Sequence, residues 1–160
     1  MGEYTFSLLD IDYILEGKKQ GLNYFAYTEA TDYFSNASRI IFYGGAEKPF
    51  RVDFKLQKIN DEFQKQLLIP LVVKIQNIAK NRDDQARIAI SLVQKIPFGE
   101  SNKSVLFAED KEARYSRYPY EVIYDRMGVC GEKSELLAFL LRELGFGTAM
   151  FYYQNENFLN

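Results

Sequence analysis

The chain has 160 residues, of which 47% are hydrophobic and 16% aromatic, and its net charge is −2. This length predicts one domain, or one domain with an appended segment, and the apolar content is enough for a packed core. The balanced charge lacks the basic footprint of a nucleic-acid-binding protein, so we expect no nucleic-acid partner. The single cysteine excludes an internal disulfide.

The first part of the chain, residues 1–56, is predicted to hold a short helix and two strands. Apolar residues at helical spacing between Ser7 and Lys19 predict the helix. The aromatic-rich range Leu22 to Phe34 fits either a strand or a helix. Strand-forming residues from Arg39 to Tyr43, and alternating apolar and polar residues from Phe50 to Leu56, predict the two strands.

The second part, residues 57–160, begins with a helical pattern. We expect Asn60 or Asp61 to cap this helix, and Pro70 to kink it or to break it into two. The pair Asp83-Asp84 is expected to cap a second helix rather than to bind a metal, because no further ligands are spaced to join it. No glycine-rich phosphate loop is present, so we expect no cofactor.

The cysteine, Cys130, lies in the segment Gly128-Val129-Cys130-Gly131-Glu132-Lys133-Ser134, directly before a leucine-rich helical run that should end at Gly145. A preceding short helix is predicted from Tyr120 to Met127, with Pro119 in its first turn. The positive end of the cysteine helix would favour the thiolate, which is the nucleophilic form. Cys130 is therefore a candidate catalytic nucleophile, although the chain has no histidine to act as its base.

The upstream stretch from Asp83 to Phe98 looks like the helix that precedes the core in archaeal-type members of the transglutaminase-like superfamily, which are papain-like cysteine enzymes and their relatives. Three stretches around the cysteine resemble the same superfamily. They are Arg117-Tyr118-Pro119-Tyr120-Glu121, the Gly128 to Ser134 turn, and Leu136-Leu137-Ala138-Phe139-Leu140-Leu141-Arg142-Glu143-Leu144-Gly145-Phe146. The resemblance covers roughly the second half of the chain. It implies an α+β fold with a helical core, in which the cysteine-bearing helix packs on a small, mainly antiparallel sheet.

The resemblance also implies a thiol-dependent reaction on peptide or isopeptide amides, by hydrolysis or acyl transfer, through a thioester on Cys130. The histidine and the acid of the family's triad match no residue of this chain. We therefore expect this chain to be inactive by itself, and we expect truncation rather than natural loss of the triad partners. The alternative is a non-catalytic interaction module that keeps the scaffold and uses its groove for a peptide or protein partner.

The role of the residues around Cys130 remains open in part. An oxyanion hole would use the backbone N–H of Cys130 and one more donor, which Tyr118 or Tyr115 could supply; the alternative is that both are ordinary tyrosines at the edge of the core. Glu132, in the first helical turn, is expected to be solvated. The apolar stripe of the helix is expected to be core: Leu137, Leu140, Leu141 and Leu144.

The range Thr148 to Tyr153 predicts a strand with apolar side chains on both faces, which needs cover on both sides. We expect it to pair with the strands predicted in the first part. The other expectation is an open edge through which a homo-oligomer forms. The N-terminus lacks the features of a signal peptide, and no apolar run spans a membrane, so we expect a cytoplasmic protein or a soluble part of a larger one.

Overall fold

A computed structural model describes residues 5–43, 51–107 and 111–151. Within these residues the chain is α+β, as the sequence predicts, with helices and two separate two-stranded antiparallel sheets. The elements in chain order are β1 (Phe6–Leu15), β2 (Lys18–Tyr27), α1 (Ala30–Tyr43), α2 (Arg51–Ile59), α3 (Glu62–Ile78), α4 (Arg82–Lys95), β3 (Ser104–Phe107), β4 (Lys111–Arg114), α5 (Pro119–Asp125) and α6 (Cys130–Glu143).

β1 and β2 form a hairpin, so the short helix predicted in this region is wrong. The turn residues Glu16 and Gly17 both have positive φ, 52° and 72°, as a two-residue hairpin turn requires. Along β1, the buried Leu9, Ile11 and Tyr13 alternate with more exposed residues. The same short run also contains apolar residues three apart, and over so few residues the two periods are hard to distinguish.

The two strands predicted at Arg39 to Tyr43 and at Phe50 to Leu56 are also wrong. The first range is the end of α1, and the second belongs to α2 from Arg51 onward, while Phe50 lies outside the described residues. Short apolar patterns do not separate a strand from a helix that has tertiary support. The range Leu22 to Phe34, which fitted either a strand or a helix, contains the end of β2 and the start of α1.

α3 begins as predicted, because the side chain of Asp61 accepts a hydrogen bond from the Gln64 N–H at 2.8 Å. Of the kink or break predicted at Pro70, the break is wrong, since α3 continues through this residue. Pro70 is exposed, and its missing N–H leaves the Gln66 carbonyl without its partner in the helix. The helix persists because its other face is anchored in the core by Leu68, Leu71, Val72 and Ile75.

α4 is capped by Asn81, and not by Asp83 or Asp84 as predicted. The Asn81 side chain accepts hydrogen bonds from the N–H groups of both aspartates, at 2.7 and 3.4 Å. The aspartates lie in the first turn, where their negative charge interacts favourably with the positive end of the helix. The start of the helix was therefore predicted to within a few residues, and the capping side chain was not.

One hydrophobic cluster connects the hairpin to α6. The hairpin packs on α4 and α3, and Tyr24 of β2 donates a hydrogen bond to the Leu67 carbonyl at 2.6 Å. α6 packs on α2, α3, α4 and α5. The cysteine-bearing helix therefore lies mainly against helices, where the sequence predicted a sheet, because the hairpin strands cover α3 and α4 instead.

The strand predicted from Thr148 to Tyr153 is not present in its described part. Residues 146–151 form no helix or strand, and Tyr152 and Tyr153 lie outside the described residues. The strands with which this segment was expected to pair are helical, so the predicted pairing is wrong for the residues that the structure describes. Residues 147–151 instead form one wall of an open cavity beside α6.

Candidate active site at the start of α6

The turn that leads into α6 is held by the loop that follows α4. The Gly128 N–H donates a hydrogen bond to the Pro97 carbonyl at 3.2 Å, and the Gly99 N–H donates to the Gly128 carbonyl at 3.3 Å. A Cβ at Gly128 would lie 3.1 Å from the Val122 side chain, so this close approach favours glycine. The backbone just before Cys130 is thereby fixed in position.

Cys130 is the first residue of α6, as the sequence predicts, and its side chain is exposed. The first turn of the helix also has a cation beside it. A Cβ built on Gly131 would lie 3.5 Å from the Lys55 ammonium nitrogen, so this charge stands close to the residue after Cys130. The positive end of the helix and the Lys55 ammonium both favour negative charge at this place.

The N-terminus of α6 carries backbone N–H groups from which no described residue accepts a hydrogen bond. Val129, at the N-cap position, has no side-chain acceptor to offer, and the Glu132 carboxylate accepts from the Val129 N–H at 3.0 Å. In the described part of the chain, no acceptor bonds the N–H groups of Cys130, Gly131 and Glu132. Such groups are the donors from which oxyanion holes are built.

Glu132 is buried at 3% exposure, so the prediction that it is solvated is wrong. Its carboxylate accepts hydrogen bonds from the Arg117 N–H at 2.9 Å and from the Arg117 guanidinium at 3.3 Å. The same guanidinium donates to Asp125 at 2.7 Å and to the Gly99 carbonyl at 3.0 Å. Burial alone would lower the pKa of Arg117, but Asp125 and Glu132 raise it overall. Arg117 thus ties α5, the Gly99 loop and α6 together.

A second buried ion pair connects α2 to α6. The Lys58 ammonium, fully buried, donates to Glu135 at 2.9 Å and to the Ser116 hydroxyl at 2.7 Å, and Lys55 lies 3.4 Å from the other Glu135 oxygen. Burial lowers the pKa of Lys58, although the charge of Glu135 acts to raise it. Sequence reasoning missed this pair. Its only signal was the three-residue spacing of the two lysines and of Glu132 and Glu135.

The two tyrosines for which the sequence left open an oxyanion donor or an ordinary place at the edge of the core lie inside the core. Tyr115 and Tyr118 are 3% and 1% exposed, and the Tyr115 hydroxyl donates to Glu121 at 2.5 Å. The Tyr118 ring packs on Phe34, with centroids 4.9 Å apart. Burial raises the pKa of Glu121, which the hydrogen bonds from Tyr115 and the Tyr118 N–H partly offset. The backbone N–H groups at the start of α6 are therefore better placed as donors beside the exposed Cys130.

An open cavity of about 450 Å³ runs along α6 on the face that Cys130 begins. Ser134, Leu137 and Leu141 follow Cys130 at successive turns of this face, and we call the cavity the α6 groove. Leu137 and Leu141 were predicted as core, but they are only partly buried and line the groove. The buried face of α6 consists of Leu136, Phe139 and Leu140, followed by Leu144.

Within the described residues, no cluster of three or more His, Cys, Asp or Glu side chains could hold a metal ion. No helix in these ranges is long and apolar enough to cross a membrane. No model of a known protein family matches the chain, and no curated protein or solved structure matches it either.

Proposed function

We propose that this chain is a transglutaminase-like thiol acyl-transfer domain in which Cys130 is the nucleophile. The observation that carries the proposal is an exposed thiol at the first residue of α6, next to backbone N–H groups that have no acceptor among the described residues. The resemblance of the three stretches around Cys130 to the transglutaminase-like superfamily supports the same assignment.

The proposed step is an attack of the Cys130 thiolate on an acyl carbonyl. The Cys130 thiol first loses its proton to solvent. Its sulfur then forms a bond to the carbonyl carbon, and the N–H groups of Cys130 and Gly131 donate to the developing oxyanion. When the bond to the leaving group breaks, the acyl group stays on Cys130 as a thioester. Water or an amine would release it in a second step.

The nature of the leaving group decides which substrates react. The amine released from an amide needs a proton, and general acid–base help is worth about 10²–10⁴-fold in rate. The chain has no histidine, and the carboxylates of Glu132 and Glu135 are held in buried ion pairs. A thioester releases a thiolate, which leaves without prior protonation. We therefore expect acyl thioesters to acylate Cys130 and peptide amides to give negligible turnover by this chain alone.

The test compares the same thiol at two positions. The wild-type chain and the double variant Cys130→Ser/Ser134→Cys are incubated with an acetyl thioester, and intact mass spectrometry follows the acetylated fraction over time. Ser134 is exposed one turn further along the same face, so the variant keeps a single exposed thiol and removes it from the N–H groups. We expect acylation of the wild type to be about tenfold faster or more.

Equal acylation rates for the two thiols would contradict the proposal, because the helix N-terminus would then contribute nothing. Cys130→Ser alone serves as the control for acylation of lysines and should give no adduct. A peptide amide is tested in parallel. Robust turnover of that amide that depends on Cys130 would contradict the substrate preference and would require a base other than histidine.

The second candidate is a non-catalytic interaction module of the same resemblance. The α6 groove favours it, because Leu137, Leu141 and Met150 present partly buried apolar surface to an open cavity. The two functions separate by the Cys130→Ser variant. A module would bind its partner equally well with serine at position 130, whereas the acyl-transfer function would be lost.

A further inference from the structure

The hairpin has one edge that the rest of the described chain leaves partly open. In an antiparallel pair, alternate residues direct their backbone N–H and C=O groups toward the partner strand and away from it. The Thr28 N–H donates a hydrogen bond to the Thr5 carbonyl across the hairpin. In this register, Ser7, Leu9 and Ile11 direct their backbone N–H and C=O groups toward β2. Phe6, Leu8, Asp10, Asp12 and Ile14 therefore direct their backbone groups away from β2.

Both edges of the hairpin are closed at some positions. On β2, the Tyr120 hydroxyl bonds both the N–H and the carbonyl of Tyr27, and Lys74 donates to the Asn23 carbonyl. On β1, the Ser91 hydroxyl bonds both backbone groups of Ile14. No hydrogen bond from a described residue reaches the outward groups of β1 between Phe6 and Asp12, and such open edges pair readily with other strands.

A cavity of about 360 Å³ lies beside this open edge. Asp10, Ile11 and Asp12 all line it, although their side chains alternate between the two faces of β1, so the cavity is located at the edge itself. The other residues that line it are the apolar Leu92, Ile96, Pro97 and Ile123 and the basic Lys95 and Arg126. A strand added to β1 could direct every second side chain into this cavity.

The outer face of the edge is apolar at one end and acidic at the other. Phe6 and Leu8 are 58% and 53% exposed. Asp10 is exposed and has no ion-pair partner among the described residues, and Asp12 has only an exposed pair with Lys19 at 3.1 Å. β1 itself contains no lysine or arginine. A second copy of β1 would therefore bring acidic or apolar side chains against Asp10, whereas a strand of another protein with basic residues would complement its charge.

We propose that the open edge of β1 binds an extended peptide segment of another protein by strand addition. The segment carries basic side chains on the outer face, opposite Asp10 and Asp12, and apolar side chains on the other face, where they enter the cavity beside Ile96 and Pro97. Lys95 and Arg126 disfavour a basic residue on the cavity side. This site is separate from Cys130 and does not depend on the proposed acyl transfer.

The probe is a short synthetic peptide in which lysine and leucine alternate. We expect it to bind the full chain and to slow hydrogen exchange at the outward N–H groups of Leu8 and Asp10, while Leu9, which already faces β2, changes little. A peptide of the same composition with its lysines and leucines in two blocks should bind at least about fivefold more weakly. Two N-methylated versions of the alternating peptide are then compared, each with methyl groups on every second backbone nitrogen but in opposite phase. One version should lose binding, and the other should keep more of it.

Matched variants test the edge itself. Leu8→Pro removes an outward N–H of β1 without breaking the hairpin ladder, and Phe25→Pro does the same at the opposite position of β2. We expect peptide binding to be lost with Leu8→Pro and kept with Phe25→Pro. If either proline variant fails to fold, Asp10→Lys and Glu16→Lys replace them, because both make the same charge change on the hairpin. Only Asp10→Lys should weaken binding of the lysine peptide, by about fivefold.

Three results would overturn the proposal. One is equal binding of the alternating and block peptides. The second is no binding by the wild-type chain at millimolar peptide. The third is a dimer in sedimentation velocity that Leu8→Pro dissociates and that the alternating peptide does not displace, because the edge would then be an interface between two copies of the chain.

Discussion

Three glutamates near the start of α6 are buried, and each carboxylate has its own set of donors. Glu132 is bonded by Arg117, Glu135 by Lys58, and Glu121 by the Tyr115 hydroxyl and the Tyr118 N–H. Glu132 and Glu135 each accept from a charged side chain, whereas the hydrogen-bond donors to Glu121 are both neutral. Its charge is therefore the least compensated of the three, which is why burial raises its pKa.

We predict that Glu121→Gln changes how stability depends on pH. A carboxyl whose pKa is raised in the folded state stabilises the fold when protonated, and this contribution is lost as the pH rises from the ordinary value of 4.5 through the raised value. Glutamine can still accept from Tyr115 but does not titrate. Urea unfolding should therefore show the variant gaining stability relative to wild type as the pH rises above the ordinary value of 4.5. If the free energies of unfolding of the variant and the wild type changed in parallel with pH, the prediction would be wrong. The control is Glu16→Gln, whose side chain is exposed in the hairpin turn.

At the scale of elements, the sequence predicted those features that are set by local chemistry. Asp61, Pro119 and Gly145 mark helix ends through side chains or backbone conformations that act within a few residues. The place of Cys130 at the start of a helix was predictable for the same reason. The buried pair between Lys58 and Glu135 was not, because its partners are far apart in the sequence and each alone has the pattern of an exposed helix face.

The wrong predictions have the opposite cause. The first strand of the hairpin was predicted as a helix and α2 as a strand, because short apolar runs fit both the helical and the strand period. Which structure forms is decided by the elements that pack against the run. Pro70 was expected to kink α3 or to break it into two, because a proline inside a helix loses a backbone hydrogen bond and its ring clashes with the preceding turn. The core contacts of Leu68 and Leu71 outweigh that cost.

We predict that Pro70→Ala stabilises the fold. Alanine restores the hydrogen bond to the Gln66 carbonyl and removes the clash of the proline ring, while the greater freedom of the unfolded chain offsets part of the gain. The net increase in the free energy of unfolding should be about 1–2 kcal/mol. Asn77→Ala, exposed on the same helix, should give about 0.5 kcal/mol from propensity alone. A gain no larger than that of Asn77→Ala would show that the helix is already relaxed around the proline.

At the scale of the whole molecule, the hydrophobic cluster is continuous from Leu9 in the hairpin to Leu144 after α6. The hairpin has no second layer of its own, since its buried face rests on α3 and α4. A two-stranded hairpin alone is only marginally stable in water. The hairpin and the helices should therefore form one cooperative unit.

We predict that Leu92→Ala, at a fully buried position of α4, lowers the free energy of unfolding by about 2–5 kcal/mol. Hydrogen exchange should report the same loss at Leu22 in the hairpin and at Leu140 in α6. Ile90→Ala, exposed on the same helix, should cost about 1 kcal/mol or less. A hairpin amide that is unaffected by Leu92→Ala, or that exchanges through a separate transition, would show that the first part of the chain unfolds independently.

The position of Cys130 has a practical consequence. Because it is the only cysteine of the chain and its side chain is exposed, a maleimide dye or a nitroxide can be attached there without any background mutation. The label would stand one turn before Ser134 and two turns before Leu137, both of which line the α6 groove. Its emission colour or its spectral line shape would then sense whatever enters the groove. The native chain therefore provides its own probe for identifying a ligand of that surface.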